Sequence, residues 1–342
     1  MKIPGAALPL IQAPMAGVQD ARLALAAGAA GALGSLPAAM LSPPKLEAEL
    51  QALQAAGRPY NVNFFAHRTP AADDARAARW AEALAPYRTE LGLPPDAAPA
   101  AGASRQPFDA QAAEVLEAFR PAVISFHFGL PAPALLARVK ARGAFVIASA
   151  TTLAEALWLQ ASGADAVIAQ GLEAGGHRGH FLDTDPARQL DTATLVSALV
   201  ARLAVPVVAA GGIGDADGVR AMMARGASAV QLGTVFLLCD EALTGPLHRA
   251  RLREPSAPTV LTNVFSGGLA RGLVNRAVRD LGPVSALAPP FPLASAALAP
   301  LRERAEALGR DDFTPLWSGT RRDGCREQPA GEIVCTLAAA FD

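Results

Sequence analysis

Apolar runs of six to eight residues alternate with longer amphipathic stretches along most of the chain. The runs are PLIQAPM near 9–15, GALGSL near 31–36, YNVNFF at 60–65, AVISFHF at 122–128, FVIASA at 145–150, AVIAQG at 166–171, VPVVAAG at 205–211 and AVQLGTVF at 229–236. Each has the length of a buried strand and leads into glycine or polar residues. The stretches between them, such as TLAEALWLQASG and DADGVRAMMARG, repeat apolar residues at helical spacing and close on a glycine suited to a C-terminal cap. Strands alternating with helices predict a parallel sheet, because parallel neighbours need a crossover connection. Eight such units predict an α/β fold, a closed (β/α)8 TIM barrel. The open doubly wound alternative lacks a G-x-G-x-x-G fingerprint after the first strand.

Two regions leave this alternation. Residues 66–108 form a proline-bearing excursion between the third and fourth strands. Residues 238–312, rich in arginine, alanine and proline, predict a small helical subdomain on the substrate side, inserted after the eighth strand. The expected division is a barrel over 1–237, the subdomain over 238–312, and a segment over 313–342 that returns to the barrel mouth as a loop and a final helix.

Composition narrows the class of protein. The 342 residues are 51% hydrophobic and 18% charged, as in a folded globular chain. A formal net charge of −1 with no lysine- or arginine-rich block argues against a nucleic-acid partner. The three cysteines, Cys239, Cys325 and Cys335, contain no C-x-x-C pair, which fits a reducing cytoplasm better than a disulfide framework or zinc knuckle. Leu23 to Pro44 carries no charge and has the length of a membrane span, but its glycines and prolines break a bilayer-crossing helix. The start MKIPGAALPLIQAP makes a poor signal peptide. The expectation is a soluble cytoplasmic protein, monomer or homodimer, without a membrane partner.

In such a barrel the C-terminal ends of the strands face the active site. The first strand ends in Gln12-Ala13-Pro14-Met15-Ala16-Gly17, small residues past which a flat ligand can approach the backbone. The third ends in Asn61-Val62-Asn63, and the fourth in Ser125-Phe126-His127-Phe128. Period-two alternation there puts Ser125 and His127 on one face and Phe126 and Phe128 on the other. The sixth strand ends in Gln170 and runs into Gly175, Gly176 and His177, an imidazole presented among glycines. The seventh and eighth end in AAGGIGDADG and QLGT, where such barrels bind phosphate. Gly211, Gly212 and Gly233 can expose N–H groups, Thr234 a hydroxyl, and a helix beginning near Asp215 its positive end. A tight turn needing glycine only for positive φ is the plainer alternative. His177 and His180, with Glu173 and Asp183 nearby, lack a firm third ligand, so no metal is expected. His67 and His248 stand outside any motif.

The segments QAPMAG, NVNFF, SFHFGLP, QGLEAGGHRG, AAGGIGD, QLGTVF and FSGGLARGLVN occur in the order seen in the nitronate monooxygenase family, formerly the 2-nitropropane dioxygenases, and the similarity covers nearly the whole chain. This resemblance implies an FMN-dependent TIM barrel that oxidises alkyl nitronates with dioxygen, by one-electron transfer to the flavin, to a carbonyl compound and nitrite. It implies FMN contacts from Asn63, Gln170, Gly175, Gly176, Gly211, Gly212, Gln231, Leu232, Gly233 and Thr234, with Ala13, Pro14 and Met15 along the ring. His177 matches the family's active-site histidine, and His127, Ser266 and Arg271 are expected on the substrate side. The chain also departs from the family. Trp317-Ser318-Gly319-Thr320 ends in threonine where glutamine is common, and Ser266-Gly267-Gly268 lacks an arginine that could hold an anionic substrate. Arg271 or Arg276 is the expected replacement for that cation. The same residues also fit an NAD(P)H-dependent reductase of quinones or enoyl thioesters, or a non-catalytic flavin- or phosphate-binding barrel.

Overall fold

The computed structural model describes residues 3–94 and 105–341; residues 95–104 of the excursion lie outside the described residues. In chain order the strands are β1 (Leu10–Gln12), β2 (Gly34–Pro37), β3 (Tyr60–Phe65), β4 (Val123–His127), β5 (Phe145–Ala150), β6 (Ala166–Gln170), β7 (Gly176–His177), β8 (Val207–Ala210), β9 (Ala229–Leu232), β10 (Thr259–Thr262) and β11 (Ala270–Leu273). All but β7, β10 and β11 form one sheet in the order β1-β9-β8-β6-β5-β4-β3-β2. Its pairings are parallel. A parallel bridge between Ile11 and Leu33 brings β1 back to the start of β2, closing the barrel. Each predicted strand falls on its apolar run.

Alternation within these strands divides them between two cores. Ile11, Leu33, Val123, Ile147, Ile168 and Val208 fill the barrel interior. Their neighbours Leu10, Ile124, Val146, Val167, Ala169 and Ala209 face the surrounding helices. Both sides are therefore apolar, which is why parallel strands read as continuous runs. The helices start and stop on the expected signals. Thr152 caps the helix Leu153–Ala161 and Asp215 caps Ala216–Ala224, each side chain accepting a backbone N–H of the first turn. Gly163 and Gly226 follow their C-termini with φ of +97° and +91°.

The excursion and the region after β9 share a further core. The helix Asp74–Glu90 packs on Ser295–Ala307, and Trp80, Leu84 and Leu91 join Val264, Phe265, Leu298, Leu301 and Phe313. The region after β9 also contains strands. β10 pairs antiparallel with β11, and β11 pairs with β7, tying this region to the loop that carries His177. The tail returns through Leu273 N–H to Leu316 O at 2.8 Å, and its helix Ala330–Ala338 packs on Ala21–Ala29. Among the described residues no helix is long and apolar enough to cross a membrane. The uncharged segment Leu23–Pro44 is divided between the helix Ala21–Ala29, β2 and the start of the helix Pro43–Ala55.

Candidate active site

A cavity of about 230 Å³ lies at the C-terminal ends of the barrel strands. Ala13, Pro14, Met15, Asn63, His127, Gln170, Gly175, Gly176 and His177 line it, with Gly211, Gly212, Gln231, Leu232, Gly233 and Thr234. Residues from six strand ends and the loops that follow them thus meet around one space. Ser266 stands just behind the wall, its hydroxyl 2.8 Å from Nε2 of His177.

Arg271, also expected at the substrate, does not reach the cavity either. In the β11–β7 ladder Ala270 is opposite His177 and Arg271 opposite Gly176, so Arg271 projects from the other face of the ribbon. Its Nε donates to Leu172 O at 2.7 Å, and its Nη1 lies 3.3 Å from Thr259 Oγ1. Arg276 is no substitute, being held by Glu90 at 2.6 Å and Asp280 at 3.1 Å.

His177 is positioned by its own peptide group. Its carbonyl oxygen accepts from Gln170 Nε2 at 2.9 Å and meets His127 Nε2 at 3.1 Å. A carbonyl can only accept, so His127 carries its proton on Nε2, and Nδ1 accepts from the Ser149 hydroxyl at 2.6 Å. Both ring nitrogens of His127 are thereby engaged, so it positions the loop and has none left for a substrate. Gln170 Oε1 accepts from Gly179 N–H at 2.7 Å, closing a clamp around residues 177–179. A Cβ at Gly179 would lie 2.7 Å from His127 Cε1, so only glycine lets the loop rest on that ring. Arg178, fully buried, donates Nε to Gln189 Oε1 at 2.8 Å, Nη1 to Gly171 O at 2.7 Å and Nη2 to Gln170 O at 2.7 Å. His180 meets Gln189 at 3.2 Å through Nδ1 and belongs to the same support.

The expected placement of Phe128 beside Phe126 does not hold. β4 ends at His127, and Phe128 turns with φ of +68°, which ends the alternation. Phe126 stays in the core, whereas Phe128 stacks at the mouth on His127, Phe65 and Phe291, with centroids 4.6, 5.2 and 5.0 Å away. Phe291 and Trp317 approach the His177 ring at 5.1 and 5.4 Å. This enclosure pushes the His177 pKa well below its ordinary value, with the Arg105 cation adding to the effect. The imidazole is neutral at neutral pH.

The glycines opposite form a different kind of wall. Gly211 and Gly212 have φ of +117° and +64°. A Cβ at Gly211 would lie 2.8 Å from Ala174 N, and one at Gly212 2.9 Å from Glu173 Cβ. At Gly175 it would lie 2.4 Å from Gly319 N, so the His177 loop and the returning tail pack backbone on backbone. The N–H groups of Gly211, Gly212, Gly233 and Thr234 donate to no protein acceptor among the described residues. The helix Ala216–Ala224 contributes less than expected, because Asp215 already caps its N-terminus and binds Arg321 at 2.8 Å.

Further wall residues lie outside the motifs that sequence reasoning singled out for the site. Arg105 enters from the excursion, Ser149 from the end of β5, His248 from the helix Pro246–Leu252, and Arg321 from the tail. His248 Nε2 and Gln231 Oε1 are buried without a partner among the described residues. Neither the excursion nor that helix repeats the strand-end pattern, so no local signal marks Arg105 or His248. Among the described residues no group of three or more His, Cys, Asp or Glu could hold a metal ion.

All five histidines have depressed pKa values, with burial the leading cause; His127 and His248 fall to about 4. Each binds a proton more weakly in the folded than in the unfolded chain. Stability therefore rises with pH through this window and is lost as pH falls from about 6.5 towards about 4. The melting temperature at about pH 5 is expected several degrees below that at about pH 7.5. A constant melting temperature between these values would contradict the burial of neutral imidazoles.

A profile of the nitronate monooxygenase family matches residues 1–339. The chain belongs to the nitronate monooxygenase family. A nitronate monooxygenase of Pseudomonas aeruginosa is 41% identical over 332 residues, covering 96% of this chain and 95% of the relative. One of Paraburkholderia phytofirmans is 39% identical over 335 residues, with coverage of 96% and 91%. The structure of a nitroalkane oxidase from Streptomyces ansochromogenes superposes with a TM-score of 0.88 at 36% identity, covering 98% of this chain and 95% of that one. This member of the nitronate monooxygenase family is thus an oxidoreductase built on the TIM barrel. At its departure from the family pattern, a Cβ on Gly268 would lie 3.1 Å from Phe291 Cβ. Phe291 occupies the space into which an arginine at that position would grow.

Proposed function

We propose that this cavity binds FMN and that the protein oxidises alkyl nitronates with dioxygen to a carbonyl compound and nitrite. The observation that carries the proposal is a cavity with unused backbone donors on one wall and a neutral, rigidly held imidazole on another. The residues fit the cofactor. Gly211, Gly212, Gly233 and Thr234 offer N–H groups to a phosphate. The unpartnered Gln231 Oε1 is an acceptor that a flavin ring N–H would satisfy. Ala13, Pro14, Met15, Asn63, Gln170, Gly175, Gly176 and Leu232 supply the remaining wall. Bound FMN supplies the redox chemistry, passing electrons from substrate to dioxygen.

The chain's own residues orient and shield the substrate. A nitronate is already an anion, so no α-proton has to be removed. His177 suits that substrate, since burial makes it a poor base while leaving one N–H to donate. In the tautomer where the Ser266 hydroxyl donates to Nε2, the ring proton is on Nδ1 and can stabilise a nitronate oxygen. Phe128, Phe291 and Trp317 screen the imidazole from water, which strengthens that hydrogen bond.

Loaded with FMN, the protein is expected to consume dioxygen and release nitrite when given ethylnitronate. Gln231→Leu tests the cofactor fit separately. It removes a buried oxygen that has no protein partner, so the flavin-free variant keeps its melting temperature while FMN affinity falls about tenfold. Unchanged FMN affinity, measured by fluorescence titration, would count against this placement of the flavin.

A further inference from the structure

His248 belongs to no sequence motif, yet it lines the cavity and is only 5% exposed. It comes from the helix Pro246–Leu252, outside the strand ends that supply most of the wall. Its ring meets the Trp317 backbone in a hydrogen bond that favours the protonated form, as a bond to a carbonyl does. Nε2 has no partner among the described residues, so Nδ1 makes this bond. A carbonyl can only accept, which puts the ring proton on Nδ1. Burial outweighs the bond and takes the pKa down to about 4, so the imidazole is neutral at neutral pH. Nε2 therefore keeps a bare lone pair, and it can only accept.

The residue that holds this ring is itself fixed. Trp317 bridges antiparallel to Gly272 of β11, and Gly319 N–H donates to Thr234 Oγ1 at 3.0 Å. Buried polar atoms are nearly always hydrogen-bonded, so an acceptor held in this way calls for a donor from the bound molecule. The chemistry of the candidates decides which donor. An alkyl nitronate and dioxygen carry no N–H or O–H, and a phosphate dianion would set lone pairs against a lone pair. Oxidised FMN offers two kinds of donor, its ring N–H and the hydroxyls of its ribityl chain. The other unpartnered acceptor of the wall, Gln231 Oε1, suits the ring N–H. The hydroxyls are left for His248.

We propose that His248 is a cofactor-binding residue whose Nε2 accepts a hydrogen bond from a ribityl hydroxyl. This deepens the FMN binding proposed above and rests on it. It gives two histidines of the wall opposite duties, His177 presenting an N–H to an anion and His248 a lone pair to a hydroxyl.

The test compares flavins that differ in the ribityl chain and requires no turnover. Flavin-free protein is titrated by fluorescence with FMN, with riboflavin and with lumiflavin, which has the same ring and a methyl group in place of the chain. His248→Phe keeps a ring of similar shape and removes the acceptor. It is expected to weaken FMN and riboflavin about tenfold and to leave lumiflavin unchanged. His248→Leu should do the same, and His248→Gln should recover part of the loss because its amide oxygen accepts. Melting temperatures of the flavin-free variants show which of them are folded. An equal loss for all three flavins would mean that His248 only shapes the cavity, and would overturn the proposal. Unchanged FMN and riboflavin affinity in His248→Phe would also overturn it, with water as the partner of Nε2. A wild-type protein that binds none of the three would refute FMN binding itself, whereas one that binds FMN as tightly as its His248→Phe variant would refute His248 alone.

Discussion

Replacing His177 with alanine is expected to lower kcat/KM for an alkyl nitronate by about 10²- to 10³-fold while FMN remains bound. The magnitude is that of removing one preorganised donor from a site sheltered from water. His177 has that character, since its peptide is held by Gln170 and His127, its ring by Ser266, and its surroundings are Phe128, Phe291 and Trp317. Its depressed pKa bears on the role. Acting as a neutral donor, His177 should be partly replaceable by glutamine, which offers an N–H at similar reach. Acting as a proton-abstracting base, it should not be, because an amide cannot take a proton at neutral pH. The check is nitrite release by the alanine and glutamine variants, with FMN content measured on the same samples. Full turnover in the alanine variant would remove His177 from the reaction.

The second large effect concerns stability. Arg178→Met is expected to destabilise the protein by roughly 3 to 5 kcal/mol, read from the denaturant midpoint. Arg178 is 0% exposed and donates to Gln189 Oε1, Gly171 O and Gln170 O. Removing it strands three buried acceptors, each worth about 1–3 kcal/mol when left unpaired. Part of that loss is offset because the variant no longer has to bury a cation. Lysine should rescue little, since one ammonium cannot reproduce the fork that reaches three separate oxygens. Activity should fall as well, because the clamped segment runs from Gln170 to Gly179 and includes His177. A loss below about 1 kcal/mol would show that water or neighbouring groups take over the acceptors.

What could be read from the amino-acid sequence follows the range of the interactions involved. The barrel was legible because each strand is a local apolar run and its partners follow in chain order. The glycines were legible for a similar reason: Gly211 and Gly212 adopt positive φ, and at Gly175 backbone meets backbone. His177 was legible as an imidazole at a strand exit. Its supports were less so, since the hydrogen bonds that occupy both nitrogens of His127 come from Ser149 and from the peptide of His177 itself. Arg271 was misplaced because its direction depends on the register of β11 against β7, a pairing that spans more than ninety residues. Phe128 was misplaced because strand alternation was extended one residue beyond the end of β4. Arg105 and the packing of the helix Asp74–Glu90 on Ser295–Ala307 rest on contacts between distant segments, neither with a motif of its own.

The most direct measurement is the visible spectrum of the FMN-loaded protein on anaerobic addition of propionate 3-nitronate. The account predicts loss of the oxidised-flavin absorbance with the nitronate alone, followed by its return and the release of nitrite when dioxygen is admitted. A flavin that ignores the nitronate and bleaches only when NADH is added would contradict it, and would assign the same cavity to a reductase.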